Sequence, residues 1–327
     1  MGKFARIAVG LSLLGGLAWY LDLPTLLESF SAVDPLMVVG LCLASSVDRV
    51  LMAYKWNILL AARGVCIPAW HAIRLYVVGN LVGTVTPGGL GSDAYRVAAL
   101  SSRHSTEVIL SSVFLERLLG LAVIGSIAAL LLPFSAAYFK TDSTIVMAMV
   151  GGGALLTVLA IPFSLNKSVA DHLVKRLSFL SGLKIAKKLK HFHHVYAESR
   201  QHVGALVAFT GLTAIEVVFR LFLSFFAALT LNVPVDFWFM FCMMPMVFIL
   251  GRLPISLQGI GVQESLFAYV MVLGGFSAEQ GVAIVLLLRA AGIVAMVVPA
   301  SVLIWFSPAS AKIPQRTGGA VPETGQP

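Results

Sequence analysis

The chain has 327 residues, of which 58% are hydrophobic and only 12% are charged, and its mean hydropathy is +0.92. This composition lies well outside that of soluble domains and indicates an integral membrane protein. The net charge of +8 does not point to nucleic acid, because eight Lys and Arg residues lie in one stretch, 167–200. Three scattered cysteines exclude a disulfide framework.

Long apolar stretches predict transmembrane helices of about 20 residues, whereas the strands of a membrane barrel would show short alternating segments. We predict an all-α polytopic fold with about six full spans. The spans are expected at about 4–23, 36–60, 106–134, 143–163, 202–232 and 281–306. Basic loops place both termini in the cytoplasm (N-in/C-in). Residues 1–306 form one transmembrane domain, and the Pro- and Gly-rich tail, 307–327, is expected to be disordered.

Two further segments are apolar but broken in the middle. Segment 71–103 has basic residues at both ends, whereas segment 235–275 has none at either end, so each begins and ends on one side of the membrane. Proline and glycine interrupt both, which predicts two re-entrant broken-helix hairpins. The expected hinge residues are Pro87, Gly88, Gly89 and Gly91 in the first hairpin and Pro254, Gly259 and Gly261 in the second.

The two hairpins share a pattern of a proline, a Gly-apolar-Gly triplet and a nearby acid, and they would enter the membrane from opposite sides. These features predict an inverted repeat with half one at about 36–134 and half two at about 202–306. The charges that flank the hairpins match as well. Asp48 corresponds to Glu216, and Arg117 corresponds to Arg289.

Charged residues inside spans are costly, by about 2.5 to 3.5 kcal/mol each, so they usually face a transport pathway or an ionic partner. The candidates for substrate binding and transport are Asp93, Arg96, Glu116, Arg117, Glu216, Arg220, Glu264 and Arg289. The arginines would bind a phosphate, and the acids would bind those arginines or a cationic head group. Two simpler interpretations stay open: Asp93 and Glu264 only cap their half-helices, and Glu216 with Arg220 is an ion pair within one helix.

Other basic residues predict contacts with lipid rather than a binding site. Lys55 and Trp56 are interpreted as anchors at the membrane interface. Stretch 167–200 is expected to be a cytoplasmic amphipathic helix on an anionic lipid surface. Its closely spaced His191, His193 and His194 have no acid or cysteine at ligand spacing, and no complete catalytic motif occurs, so we expect no metal, no cofactor and no enzymatic activity.

Four motifs resemble the lysylphosphatidylglycerol synthase transmembrane family over most of residues 5–306. They are RVLMAYKWNILL, TPGGLGSDAYRV, SSVFLERLLGL and LPISLQGIGVQESLF. The resemblance implies a multi-pass lipid flippase of the bacterial inner membrane, similar to the flippase part of the multiple peptide resistance factor but without its synthase domain. Ser92 and Gln263 depart from the family pattern, which leaves the head group open.

The transported lipid could therefore be a phospholipid, an aminoacyl-phospholipid, or a polyisoprenyl-linked or hopanoid glycolipid. The alternative is an accessory membrane subunit that transports nothing and serves an envelope lipid or glycan biosynthetic enzyme. The partners expected from the sequence are thus a membrane lipid, an envelope enzyme or a second copy of the chain, but no nucleic acid.

Overall fold

The computed structural model describes residues 21–31, 33–84, 86, 89–135, 138, 151–152, 155, 195–251 and 259–305. Every regular element within these ranges is helical. The expected spans at 4–23 and 143–163, the basic stretch up to residue 194 and the tail lie outside the described residues, apart from 21–23, 151–152 and 155. Three of the predicted hinge residues, Pro87, Gly88 and Pro254, lie outside them too.

The helices with defined bounds are α1 (Leu23–Glu28), α2 (Pro35–Ala62), α3 (Ala69–Thr84), α4 (Leu90–Ser101), α5 (Thr106–Ser135), α6 (Val203–Thr230), α7 (Phe237–Leu250), α8 (Val262–Leu273) and α9 (Ala278–Trp305). By length and composition, four of these described helices, α2, α5, α6 and α9, could each cross a membrane. The helices predicted at 36–60, 106–134, 202–232 and 281–306 are confirmed.

The order of helix lengths repeats. Helices α2 to α5 have 28, 16, 12 and 30 residues, and α6 to α9 have 28, 14, 12 and 28. Each half is thus a pair of short helices held between two long ones. Among the described residues, the stretches predicted as the two halves thus show the same order of long and short helices.

Local chemistry explains where the short helices begin. Gly89 precedes α4 with φ 67°, and Gly261 precedes α8 with φ 82°. Residues with a Cβ avoid this left-handed region, so glycine allows the chain to turn sharply into each helix. The broken segments therefore end at equivalent glycines in the two halves.

Packing brings the halves together. Helix α2 of the first half packs along α6 of the second, and α9 contacts α2 and α3. The largest core cluster is formed mainly by the second half and is rich in methionine, including the fully buried Met240, Met243 and Met244 of α7. The polar groups discussed below lie where the first half meets α6.

Candidate functional site

A cavity of about 340 Å³ lies between the two halves. Its lining is Met52, Lys55, Tyr76, Asn80, Gly89, Ser92, Asp93, Arg96, Glu116, Arg117, Gly120, Leu121, Phe209, Thr213, Glu216, Gly251 and Gly259. The first half contributes all four of its helices, and the second contributes α6 and two glycines from its broken segment. Three basic and three acidic side chains face one another across this space, which is unusual for a region between apolar helices.

Arg96 of α4 is the centre of the first ion-pair network. Its guanidinium donates to Asp93 Oδ1 and to Glu116 Oε2, both at 2.7 Å. It also lies over the rings of Trp56 and Tyr76, 4.7 and 4.6 Å from their centroids. Two carboxylates and two aromatic faces thus surround one buried cation, which fixes the position of both acids.

Arg117 of α5 extends this network towards the cavity. Its Nε donates to Asp93 Oδ2 at 2.5 Å. Its side chain is 45% exposed, whereas the side chains of Lys55 and Arg96 are each 4% exposed. Of the basic groups that line the cavity, Arg117 is therefore the one that a ligand can reach most easily. Within the described part of the chain, Asp93 accepts from Arg96 and Arg117 and from no backbone N–H at the start of α4, which disagrees with the interpretation of Asp93 as a simple cap.

A second network joins the halves through α2 and α6. Lys55 forms a buried ion pair with Glu216 and donates to Thr213 Oγ1 at 3.0 Å. Glu216 also pairs with Arg220 at 2.8 Å, as the sequence interpretation of an intrahelical pair expected. Arg220 in turn donates to both oxygens of Asp48, at 3.2 and 3.4 Å. The intrahelical pair is thus one part of a network that spans both repeats.

The prediction that Lys55 and Trp56 are interfacial anchors is wrong. Lys55 is 3% exposed and Trp56 is fully buried. Trp56 Nε1 donates to Ser112 Oγ at 3.1 Å. Because Glu216 and Thr213 supply polar partners inside the protein, the ammonium group has no need to reach the interface.

The acids of the second network occupy equivalent positions. Asp48 is the fourteenth residue of α2, which begins at Pro35, and Glu216 is the fourteenth residue of α6, which begins at Val203. Arg220 lies between the two carboxylates and contacts both. The matched spacing seen in the sequence therefore corresponds to a direct structural relationship.

The acid and the arginine that follow the second broken segment, Glu264 and Arg289, are arranged differently from Asp93 and Arg117. Glu264 accepts from the Gly261 N–H at 2.7 Å, which caps α8, and pairs with Arg289 at 2.9 Å. Arg289 also donates to Gln263 Oε1 at 3.2 Å. The capping interpretation of Glu264 is confirmed. Glu264, Arg289 and Arg220 are absent from the described cavity lining, so these three candidates do not share the space reached by Asp93, Arg96, Glu116, Arg117 and Glu216.

Sequence reasoning did not foresee the roles of Lys55, Tyr76 and Asn80. Tyr76 donates to Glu116 Oε1 at 2.7 Å, and Asn80 accepts from Ser92 Oγ at 3.0 Å. Lys55 could have been found from helical spacing, since it follows Asp48 by seven residues and so lies on the same face of α2. Tyr76 and Asn80 are four apart and share a face of α3 in the same way.

The comparisons with known proteins agree with this architecture. The family model described as lysylphosphatidylglycerol synthase TM region matches residues 4–300. The chain belongs to this family. Neither a curated protein nor a solved structure matches the chain. Membership of the family, together with the apolar helices, establishes a multi-pass integral membrane protein.

The two positions that the sequence analysis expected to depart from the family pattern, Ser92 and Gln263, lie at or next to the cavity. Ser92 lines it and is held by its hydrogen bond to Asn80. Gln263 packs against Gly251 and Gly259, where an added Cβ would come within 3.0 to 3.1 Å of its side chain. Ser92 and Gln263 are thus placed at or next to the lining of the cavity.

Proposed function

We propose that this protein is a lipid flippase of the bacterial inner membrane that moves a polar-headed lipid between leaflets. The observation that carries the proposal is the charged cavity between the two halves. Family membership supports it, because the transmembrane region of this family is associated with lipid translocation. The two broken segments are proposed to be re-entrant and inverted, in a chain with both termini in the cytoplasm.

The main energetic barrier to moving a lipid between leaflets is the passage of its polar head group through the hydrocarbon core. A polar or charged head group loses its water when it enters hydrocarbon, which is unfavourable unless the protein supplies polar partners. The cavity supplies hydroxyl, amide and ionic groups within a bundle of apolar helices. We propose that the head group moves through this cavity while the acyl chains stay in the bilayer.

The first turn of α4 supplies a further attraction. Gly89, Ser92 and Asp93 at the start of this helix line the cavity. The N-terminal end of a helix carries a partial positive charge and favours an anion. Together with the exposed guanidinium of Arg117, it would hold a lipid phosphate.

The experiment is leaflet transfer of a head-group-labelled phospholipid in proteoliposomes, measured for the wild type and for Arg117→Ala. We expect transfer by the wild type and at least about a tenfold lower rate for Arg117→Ala, because a charge-assisted contact to the phosphate is lost. Arg103→Ala, which changes an exposed arginine at the end of α4, is the charge-matched control and should transfer normally.

A second variant, Glu216→Gln, tests the other wall of the cavity. The variant protein must first elute as a folded species in size-exclusion chromatography. Normal transfer by both Arg117→Ala and folded Glu216→Gln would refute the assignment of the cavity as the pathway.

The accessory-subunit alternative rests on the basic stretch 167–200. Only its last residues, 195–200, are described, and Arg63 holds them through the Val195 carbonyl at 2.7 Å and Glu198 at 3.2 Å. This contact ties the stretch to the end of α2. If the alternative is correct, deletion of 184–190 abolishes co-purification of an envelope enzyme, while the purified protein transfers no lipid.

A further inference from the structure

We propose that the cavity selects a lipid whose head group carries one negative charge, as a phosphodiester, and no cationic amine. This inference rests on the proposed function, since it names the class of lipid that the same cavity would take. Two kinds of lipid share this chemistry: a glycerophospholipid with a neutral hydroxylated head group and a polyprenyl phosphodiester of a single neutral sugar.

The first argument is the state of the acids. Each of the six carboxylate oxygens of the three acids in the lining already contacts a protein donor, through a hydrogen bond or an ion pair. The donors are Arg96 and Arg117 for Asp93, Tyr76 and Arg96 for Glu116, and Arg220 and Lys55 for Glu216. An ammonium group on the ligand would therefore have to share a carboxylate oxygen with a protein donor, close to the protein's own cations.

The second argument is that the remaining hydrogen-bonding capacity is in donors. The amide nitrogen Nδ2 of Asn80 is buried and has no hydrogen-bond partner within the described part of the chain, and Asn80 lines the cavity. Among the described residues, only Asp93 and the Gly89 carbonyl accept from Arg117, through its Nε and Nη2, which leaves Nη1 for a ligand. Donors without acceptors favour a ligand that is rich in acceptor oxygens, as a phosphodiester and neighbouring hydroxyls are.

The third argument is charge. The network around Arg96 joins two basic and two acidic side chains and is neutral. The network around Glu216 joins three basic residues, Arg49, Lys55 and Arg220, to two acids. The lining itself holds three basic and three acidic side chains and is neutral. The one net positive charge lies behind it, where Arg49 and Arg220 extend the second network, and it disfavours a further cation in the cavity.

The size of the cavity narrows the class further. Ligand pockets span about 300 to 1,000 Å³, and a cavity of about 340 Å³ is near the small end of that range. A glycerol or one sugar ring suits this volume, whereas an oligosaccharide of several rings does not.

The test is a binding competition on the purified full-length protein in detergent, read by native mass spectrometry. The probes are phosphatidylglycerol, phosphatidylethanolamine and lysyl-phosphatidylglycerol with identical acyl chains, and a short-chain polyprenyl phosphohexose. We expect phosphatidylglycerol, the phosphohexose or both to bind at least about tenfold more tightly than the two amine-bearing lipids, a difference that one charge-assisted contact can supply. The relative affinities of phosphatidylglycerol and the phosphohexose decide between the two sources.

Two variants make the test specific. Arg117→Gln should abolish the preference, while Arg103→Gln should keep it. Asn80→Asp adds a carboxylate of nearly the same shape to the lining and should weaken phosphatidylglycerol binding and strengthen lysyl-phosphatidylglycerol binding. The two shifts in opposite directions also distinguish a change in selectivity from a loss of folding.

Equal or tighter binding of either amine-bearing lipid by the wild type, or no binding of any probe, would overturn the inference. Its failure is distinct from failure of the proposed function. If the protein transfers lipid between leaflets but lacks this binding preference, the flippase proposal stands and the proposed lipid class is wrong. If the protein shows the preference but transfers no lipid, the lipid class stands and the flippase proposal is wrong.

Discussion

The two halves of the protein share a sequence of helices but use their broken segments differently. In the first half, Asp93 pairs with Arg96 and Arg117 and lines the cavity. In the second, Glu264 caps its own helix and pairs with Arg289, away from the described lining. Arg117 and Arg289 are each the twelfth residue of a helix, in α5 from Thr106 and in α9 from Ala278. Equivalent arginines thus line the cavity in one half and pair with a helix-capping acid in the other.

The largest expected effect is at Glu216, where the halves meet. Its replacement in Glu216→Gln leaves Lys55 buried without its carboxylate partner, and breaking a buried ion pair costs about 3 to 5 kcal/mol. We expect a marked loss of thermal stability in detergent, measured by the apparent Tm. Lys55→Met combined with Glu216→Gln should recover part of the loss, and Glu28→Gln, at an exposed site, is the control. Equal stability of Glu216→Gln and wild type would show that the network does not join the halves.

The next largest effect on stability is expected at the two equivalent arginines, Arg117 and Arg289. Arg289→Gln should lower the free energy of unfolding by about 1.5 to 3 kcal/mol, because it leaves the buried Glu264 without its cation. Arg117→Gln should cost about 0 to 1 kcal/mol, since its side chain is far more exposed. Unfolding in mixed micelles measures both. In lipid-transfer assays the order should be reversed, with the larger loss of rate in Arg117→Gln. A larger effect of Arg289→Gln in both measurements would contradict the functional difference between the halves.

The glycines that begin the short helices give a smaller effect. Gly89→Ala and Gly261→Ala should each cost about 1 to 2 kcal/mol, since both residues have positive φ. Gly261 should be the more sensitive, because its ψ of −43° lies further from the left-handed helical region than the 16° of Gly89. The apparent Tm of the two variants is the measurement. A more stable Gly261→Ala protein would contradict this backbone geometry.

The smallest effect concerns Thr86, whose hydroxyl accepts from the Gly91 N–H at 2.8 Å near the start of α4. Thr86→Val removes this contact and should cost about 0.5 to 1 kcal/mol, as the loss of a helix cap does. Thr86→Ser keeps the hydroxyl and serves as the control. Hydrogen exchange at the Gly91 amide should be faster in Thr86→Val alone, and unchanged exchange would place the capping contact elsewhere.

Much of the architecture could be predicted from the sequence, because long apolar stretches and their breaks are local properties. The two halves and the equivalence of Asp48 and Glu216 followed from spacing alone. The partner of Lys55 could not be predicted in this way, since it lies 161 residues away and its proximity depends on how α2 packs along α6. The interpretation of Lys55 as an interfacial anchor relied on its sequence neighbour Trp56, and it was wrong because the sequence does not show the packing of α2 along α6.

The different use of Asp93 and Glu264 was also hidden in the sequence. Both are acids in the first turn of a short helix after a glycine. Their roles diverge because Glu264 is the third residue of α8, from which a carboxylate reaches back to the N-cap N–H, whereas Asp93 is the fourth residue of α4 and has Arg96 three residues after it. An acid with a cation on its own helix can be held away from the cap, and one without it caps the helix.

The most direct test of the central claim is photolabelling with phosphatidylglycerol that carries a diazirine on its head-group glycerol, followed by mapping of the adducts in the full-length protein. The cavity predicts adducts at lining residues such as Asn80, Ser92 and Leu121, which excess unlabelled phosphatidylglycerol suppresses. Ile293 is the equivalent of Leu121 in the second half and lies outside the lining, so it should remain unlabelled. Adducts that fall equally on both halves, or that resist competition, would contradict a head-group pathway between them.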